Sequence, residues 1–253
     1  MRSESHKLLD TVVLYLRNAA RVTVLTGAGI SAESGVSTFR GSGGLWRDSR
    51  PEDLATTHAF MNDSLRVWQW YEYRRELISQ AKPNAGHRVL AKWKTTFQTF
   101  SLITQNVDGL HERAGSRDLI PLHGSIWKVR CLNNCIKSPA SWTDKSVPFN
   151  RLPPLCPDCG SIVRPDVVWF GESLDYKNIE AAFEASRCDV FLSIGTSALV
   201  RPASEFVKYA KSNGSFTVEL NLERTTISDY VDISVHDKAH TSLCYLDEGL
   251  MRK

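Results

Sequence analysis

Four short apolar runs, each closing on small or polar residues, constrain this chain more than any other feature. Arg21-Val-Thr-Val-Leu-Thr26 leads into Gly27-Ala28-Gly29, and Thr99-Phe-Ser-Leu-Ile-Thr104 leads into Gln105-Asn106-Val107-Asp108. Asp189-Val-Phe-Leu-Ser-Ile194 leads into Gly195-Thr196-Ser197, and Ser215-Phe-Thr-Val-Glu-Leu220 leads into Asn221. Runs of this kind suit strands of a parallel sheet with loops at their carboxyl ends. Helical patterns lie between them, as at Asp175 to Arg187 and Pro202 to Lys211. The alternation predicts an α/β fold with helices on both faces of the sheet. The start, with Leu8, Val12, Leu16 and Ala19 on one stripe, reads as an amphipathic helix rather than a secretory signal.

Two stretches break the alternation. Residues 41–91 are rich in Trp and Arg and read as helices, while residues 126–165 carry two cysteine pairs with prolines between them. Both are read as insertions that together form a smaller lobe. Cys131-x3-Cys135 and Cys156-x2-Cys159, 20 residues apart, have the spacing of two knuckles around a tetrahedral Zn2+. Four thiolates leave no open position for water, so a structural rather than a hydrolytic ion is expected. Two disulfides are the alternative, disfavoured where no export signal is present. Cys188 and Cys244 stand alone and read as buried apolar residues.

With 31 basic against 28 acidic residues the net charge is +3, which gives no reason to expect a nucleic-acid ligand. No apolar run approaches the roughly 18 residues of a membrane span. An intracellular protein is expected, mitochondrial or cytoplasmic in preference to nuclear, acting as a monomer.

Gly27-Ala28-Gly29-Ile30-Ser31-Ala32 after the first run fits a dinucleotide loop: glycines turn sharply, and exposed amides favour pyrophosphate. Alone it fits a tight strand-to-helix turn equally well. Seven histidines offer a base near neutral pH. His111 and His123 both follow the run that carries Asn106, and local sequence does not separate them. Tyr71 and Arg74, three apart on a helix capped by Asp63-Ser64, share a face. An Arg fork beside a phenol suits a carboxylate. A surface Arg stacked on a packed Tyr is the plainer reading.

Taken in order, GAGISAESGVSTFRG, TQNVDGLHERAG, LHGS, VVWFGE, GTSALV and NLE closely resemble the motif series of the sirtuins, NAD-dependent protein lysine deacylases. The similarity runs from about Arg21 to Leu243, nearly the whole chain. It implies a Rossmann-like NAD-binding domain from residues 1–40, 92–125 and 166–253, with the helical insertion 41–91 and zinc module 126–165 as the small lobe. Gly27, Ala28, Gly29, Glu33, Phe39 and Arg40 correspond to the cofactor loop, and Gln105, Asn106 and Asp108 to the nicotinamide and its ribose. Gly195, Thr196 and Ser197 would take phosphate or ribose contacts, and Asn221 and Glu223 the adenosine ribose. Of Lys238-Ala239-His240 only Ala239 is carried over, to the adenine.

The resemblance assigns catalysis to His123 within Leu122-His123-Gly124-Ser125, Gly124 letting substrate approach the ring, and gives His111 a supporting place. It implies that the acyl oxygen displaces nicotinamide from NAD. His123 then draws off a proton through the ribose hydroxyls, and water completes release of lysine and 2′-O-acyl-ADP-ribose. NAD is a consumed co-substrate, with no hydride transfer.

Tyr71, Arg74 and the small Ala55 match the branch that removes succinyl, malonyl or glutaryl groups. Val168, Phe170, Gly171 and Glu172, with Leu199-Val200-Arg201 opposite, would pair with the substrate backbone as an added strand. Arg201 stands where an aromatic residue is common. The partners implied are acylated-lysine proteins or peptides. The alternatives are a deacetylase, an ADP-ribosyltransferase using the same pocket, and a non-catalytic zinc- and nucleotide-binding adaptor.

Overall fold

The computed structural model describes residues 4–38 and 50–252. In chain order the elements are α1 (Glu4–Asn18), β1 (Arg21–Thr26), a 3-10 helix (Ala28–Ser34), α2 (Pro51–Leu54), α3 (Thr57–Asn62), α4 (Ser64–Gln80), α5 (Ala85–Thr96), β2 (Thr99–Thr104), α6 (Leu110–Arg113), β3 (Ile120–Pro121) and β4 (Gly124–Cys131). They continue as β5 (Trp142–Thr143), β6 (Val163–Val167), α7 (Tyr176–Ala185), β7 (Val190–Ile194), α8 (Ala203–Ser212), β8 (Phe216–Asn221), β9 (Ile233–His236) and α9 (Ala239–Met251).

The four apolar runs form the centre of a six-stranded parallel sheet, ordered β3-β2-β1-β7-β8-β9. β1 pairs with β2 on one side, Val22 opposite Phe100, and with β7 on the other, Val22 opposite Val190. The strand order therefore reverses between β1 and β7, and ligands of doubly wound sheets bind outside the carboxyl ends at such a reversal. Side chains alternate across the sheet as the pleat requires. Val22, Val24, Leu192 and Ile194 pack with α1, α5 and α9 on one face, while Leu25 and Phe191 pack with α7 and α8 on the other.

The buried stripe of α1 runs through Leu9, Val12, Val13 and Leu16; Leu8 and Ala19 are only partly buried. The stripe is thus rotated from the expected one, because the α1 face that meets α9 includes Val13. Asp63 caps α4 as expected, its side chain accepting from the Arg66 amide at 2.9 Å.

The small lobe joins α3 and α4 to an antiparallel sheet, β5-β4-β6. Its core holds Phe60, Trp68, Tyr71 and Ile78 from the helices and Ile126, Val129 and Val163 from the strands. Trp68 Nε1 donates to the Val163 carbonyl at 2.9 Å, and the buried Arg75 lies over Trp127 and Phe149. Helix α5 instead contributes Val89, Leu90 and Trp93 to the core of the large sheet, so we propose that the helical insertion ends before it. Among the described residues no helix is long and apolar enough to cross a membrane.

Candidate active site

The β1–β7 reversal opens into a cleft of about 1120 Å³ between the two lobes. At its floor two loops lock together. The Gly27 amide donates to the Ile194 carbonyl at 2.9 Å and the Gly29 amide to the Gly195 carbonyl at 2.8 Å. A Cβ at Gly29 would lie 2.6 Å from Gly195 Cα, and one at Gly27 would lie 2.7 Å from the Gly195 oxygen. Glycine is required here first by the neighbouring loop, which brings both chains close enough to line one floor.

Gly27, Ala28, Gly29, Glu33, Gln105, Asn106, Gly195, Thr196, Ser197, Asn221, Glu223 and Ala239 all border this cleft. Asn106 Nδ2 donates to the Gly27 carbonyl at 3.0 Å, and Gln105 Nε2 to Thr196 Oγ1 at 2.9 Å, so three loops are cross-tied. At the far end Asn221 bonds the Glu223 carbonyl, and α9 begins at the rim with no side-chain cap. Glu33 lies 3.5 Å from His240, linking that helix to the glycine loop. Phe39 and Arg40 lie outside the described residues.

Asp108 does not border the cleft. It is buried behind Asn106, accepting from the Leu110 amide and from Ser31 Oγ, each at 2.8 Å. Burial pushes its carboxyl above the usual range despite those donors. In this arrangement it braces the loop.

The two histidines left open by local sequence are separated by their surroundings. His111 is wholly buried off the cleft, its Nε2 2.9 Å from Thr26 Oγ1 and its Nδ1 without a partner among the described residues. Burial holds it down to about 3, so it stays neutral. His87 forms the reciprocal cap of α5 with Asn84 and is held down to about 4 by burial. His123 borders the cleft. Its Nδ1 is 3.0 Å from the Gln105 carbonyl, which can only accept, so the proton sits on Nδ1 and Nε2 carries the lone pair. Burial lowers its pKa, leaving the ring a neutral base near pH 7.

Gly124 has a reason other than the expected one. Its φ is +76°, and a Cβ there would fall 2.2 Å from the Asp166 carbonyl oxygen. The residue admits the backbone of β6, and just past that strand the Val168 amide donates to the His123 carbonyl at 3.0 Å.

Ala55, Trp70, Tyr71, Arg74, Val168, Trp169 and Phe170 line the same cleft as His123. Tyr71 and Arg74 are buried, at 2% and 6% exposure, and Arg74 lies 4.7 Å from the Trp70 ring centre. The arginine is therefore part of the cleft wall and not of the outer surface. Gly171 and Glu172 border the mouth, facing Leu199, Val200 and the exposed Arg201. The Glu172 carboxylate is already engaged by Arg164, the Trp169 amide and Thr57 Oγ1.

The four paired cysteines converge at the outer end of the small lobe. Their Sγ atoms all lie within 4.8 Å of one another, Cys131 to Cys159 at 3.5 Å and Cys135 to Cys156 at 3.7 Å. Disulfide sulfurs sit about 2 Å apart. The edge of a tetrahedron of thiolates around zinc is about 3.8 Å. The donor set and its spacing fit a closed structural zinc site.

The model of the Sir2 family matches residues 27–202. The chain belongs to the Sir2 family. A relative, the NAD-dependent protein deacylase of Aquifex aeolicus, is 49% identical over 233 residues, 92% of this chain and 96% of that one. A Sir2 homologue solved as an NAD complex superposes with a TM-score of 0.88 at 40% identity, over 96% of this chain and 93% of that one. A Sir2–p53 peptide–NAD complex does so with a TM-score of 0.83 at 28% identity, over 96% and 98%. As a Sir2 protein the chain has a wall that sequence reasoning assigned only in part: Trp169 borders the cleft as its motif implied, and Trp70, Leu222, Thr225 and Thr226, which were not assigned, border it too. Trp169 stood within the motif Val168 to Glu172, but nothing local tied its indole to Tyr71.

Proposed function

We propose that the protein is an NAD-dependent protein lysine deacylase that prefers acidic acyl chains: succinyl, malonyl or glutaryl. The observation that carries this reading is one continuous cleft with His123 between the β1–β7 loops and the Tyr71–Arg74 wall. The curated relative's activity and the two complexes support the coarser statement, NAD as co-substrate and acylated lysine as substrate.

NAD, when bound, supplies a ribose carbon from which an entering oxygen can displace nicotinamide. The chain's own groups divide the remaining work. The amides of the Gly27–Gly29 loop, with Thr196 and Ser197, would hold phosphate, and Asn221 and Glu223 would hold the adenosine ribose. Gln105 and Asn106 would orient the nicotinamide ribose, backed by Asp108. His123 takes a proton at Nε2, a role its tautomer and neutrality suit. The segment Val168 to Glu172 would pair with substrate backbone. Zinc, held by Cys131, Cys135, Cys156 and Cys159, keeps the small lobe folded and takes no part in the reaction. Four thiols held apart as a metal site also fit a reducing, intracellular compartment.

Arg74 supplies the cation that an acidic acyl chain needs and an acetyl group does not. Its fork can donate two parallel hydrogen bonds to a carboxylate inside a buried wall. Arg74→Met is expected to lower kcat/KM on a succinyl-lysine peptide by about 30-fold or more, the scale of a lost buried charge contact, and to affect the acetyl peptide much less. Equal losses on both peptides would remove the carboxylate-receiving role.

A further inference from the structure

Trp169, at the cleft wall, is held by several neighbours. The Arg164 guanidinium lies 3.5 Å from its ring centre, the Phe60 ring 5.1 Å away, and its amide donates to Glu172 Oε2 at 2.9 Å. Glu172 also binds Arg164, so one ion pair clamps both the indole and the main chain of Trp169. At the inner end of the ring, Nε1 lies 2.9 Å from the Tyr71 hydroxyl. An indole nitrogen only donates, so the direction of that hydrogen bond is fixed, and the Tyr71 oxygen is the acceptor.

We propose that Trp169 is a positioning residue for acyl-chain selectivity: by donating to Tyr71 Oη it turns the phenolic proton toward the end of the acyl pocket. A hydroxyl that receives the indole N–H keeps its own proton for a partner. The indole bond is the only one Tyr71 Oη makes among the described residues. Burial raises the Tyr71 pKa, so the proton is retained throughout the neutral range. The pocket end then presents an O–H beside the Arg74 cation, a pair of donors. Such a set favours a terminal carboxylate, which only accepts, and offers nothing to a methyl group. A phenylalanine in place of Trp169 would fill most of the same space without the N–H, leaving the phenol free to turn its proton away.

This inference rests on the acidic-acyl reading, and the test separates the two. Succinyl- and acetyl-lysine versions of one peptide are compared on wild type, Trp169→Phe, Tyr71→Phe and the double variant, by kcat/KM and by peptide binding without NAD. The succinyl-over-acetyl ratio is expected to fall about five- to tenfold in Trp169→Phe, the worth of one ordered hydrogen bond. It should fall no further when Trp169→Phe is added to Tyr71→Phe. A ratio unchanged by Trp169→Phe, or equal losses added in both backgrounds, overturns the inference alone. A wild-type protein with no succinyl preference removes the acidic-acyl reading and this inference with it. Should Trp169→Phe not fold, the indole N–H resonances of 15N-tryptophan-labelled wild type give the reading. One resonance should be displaced by Tyr71→Phe and respond to succinyl but not acetyl peptide; the lack of any such shared resonance overturns the proposal.

Discussion

Replacing His123 by alanine is expected to lower kcat/KM by about a thousandfold on succinyl and acetyl peptides alike, within the range a positioned base contributes. The loss should be common to both acyl chains because the proposed proton transfer at His123 is the same whichever acyl group is carried. Folding should survive, since the side chain's hydrogen bond is a single contact to the Gln105 carbonyl at the cleft wall. The thermal midpoint serves as the control. The pH profile carries the same assignment. Burial moves the His123 pKa below the 6.5 of a free imidazole, so the basic form persists to lower pH. The acid limb of kcat/KM is therefore expected at a midpoint below 6.5. A midpoint above that value, or substantial activity in His123→Ala, would take the proton-accepting role from this residue.

Removing the metal should have the second large effect. Cys131 and Cys156 belong to the small-lobe core with Phe60, Trp68, Ile126 and Trp169, so the ion fastens the wall that carries Tyr71 and Trp169. Site formation and local folding are coupled in such modules. Either chelation or Cys156→Ser is expected to lower the thermal midpoint by about 10 °C or more and to abolish turnover. Hydrogen-exchange protection in β1 and β7 should outlast protection in β4 and β6, because the large sheet has its own core. Metal analysis should find one zinc per chain. A metal-free protein with an unchanged midpoint and full activity would show the four thiols to be incidental.

The large sheet was legible because its strands are buried on both faces and so announce themselves as unbroken apolar runs. β4 and β6 were not. Gly124–Cys131 mixes Ser, Lys and Arg with its apolar residues, and Val163–Val167 carries Pro165. That proline is tolerated because β6 lies at the edge of its sheet. β3 and β5 span two residues each, too short for any periodicity. Within the site, motif order led to most of the cleft wall, but four features have reasons that no local sequence carries. Gly124 is glycine for the sake of Asp166, and Gly29 for the sake of Gly195; both approaches are set by pairing between distant segments. Asp108 reads as a ligand from its place beside Asn106, yet it turns inward to Ser31 and Leu110. The Trp169–Tyr71 bond joins residues 98 apart, and no local pattern records such a contact.

The most direct test follows all three products in one tube. Protein, NAD and a succinyl-lysine peptide are incubated together, and nicotinamide, free-lysine peptide and succinyl-ADP-ribose are quantified by mass spectrometry. The account predicts that they appear in equal amounts, with NAD lost to match. NAD recovered intact, or ADP-ribose found on protein with the peptide still acylated, would contradict it.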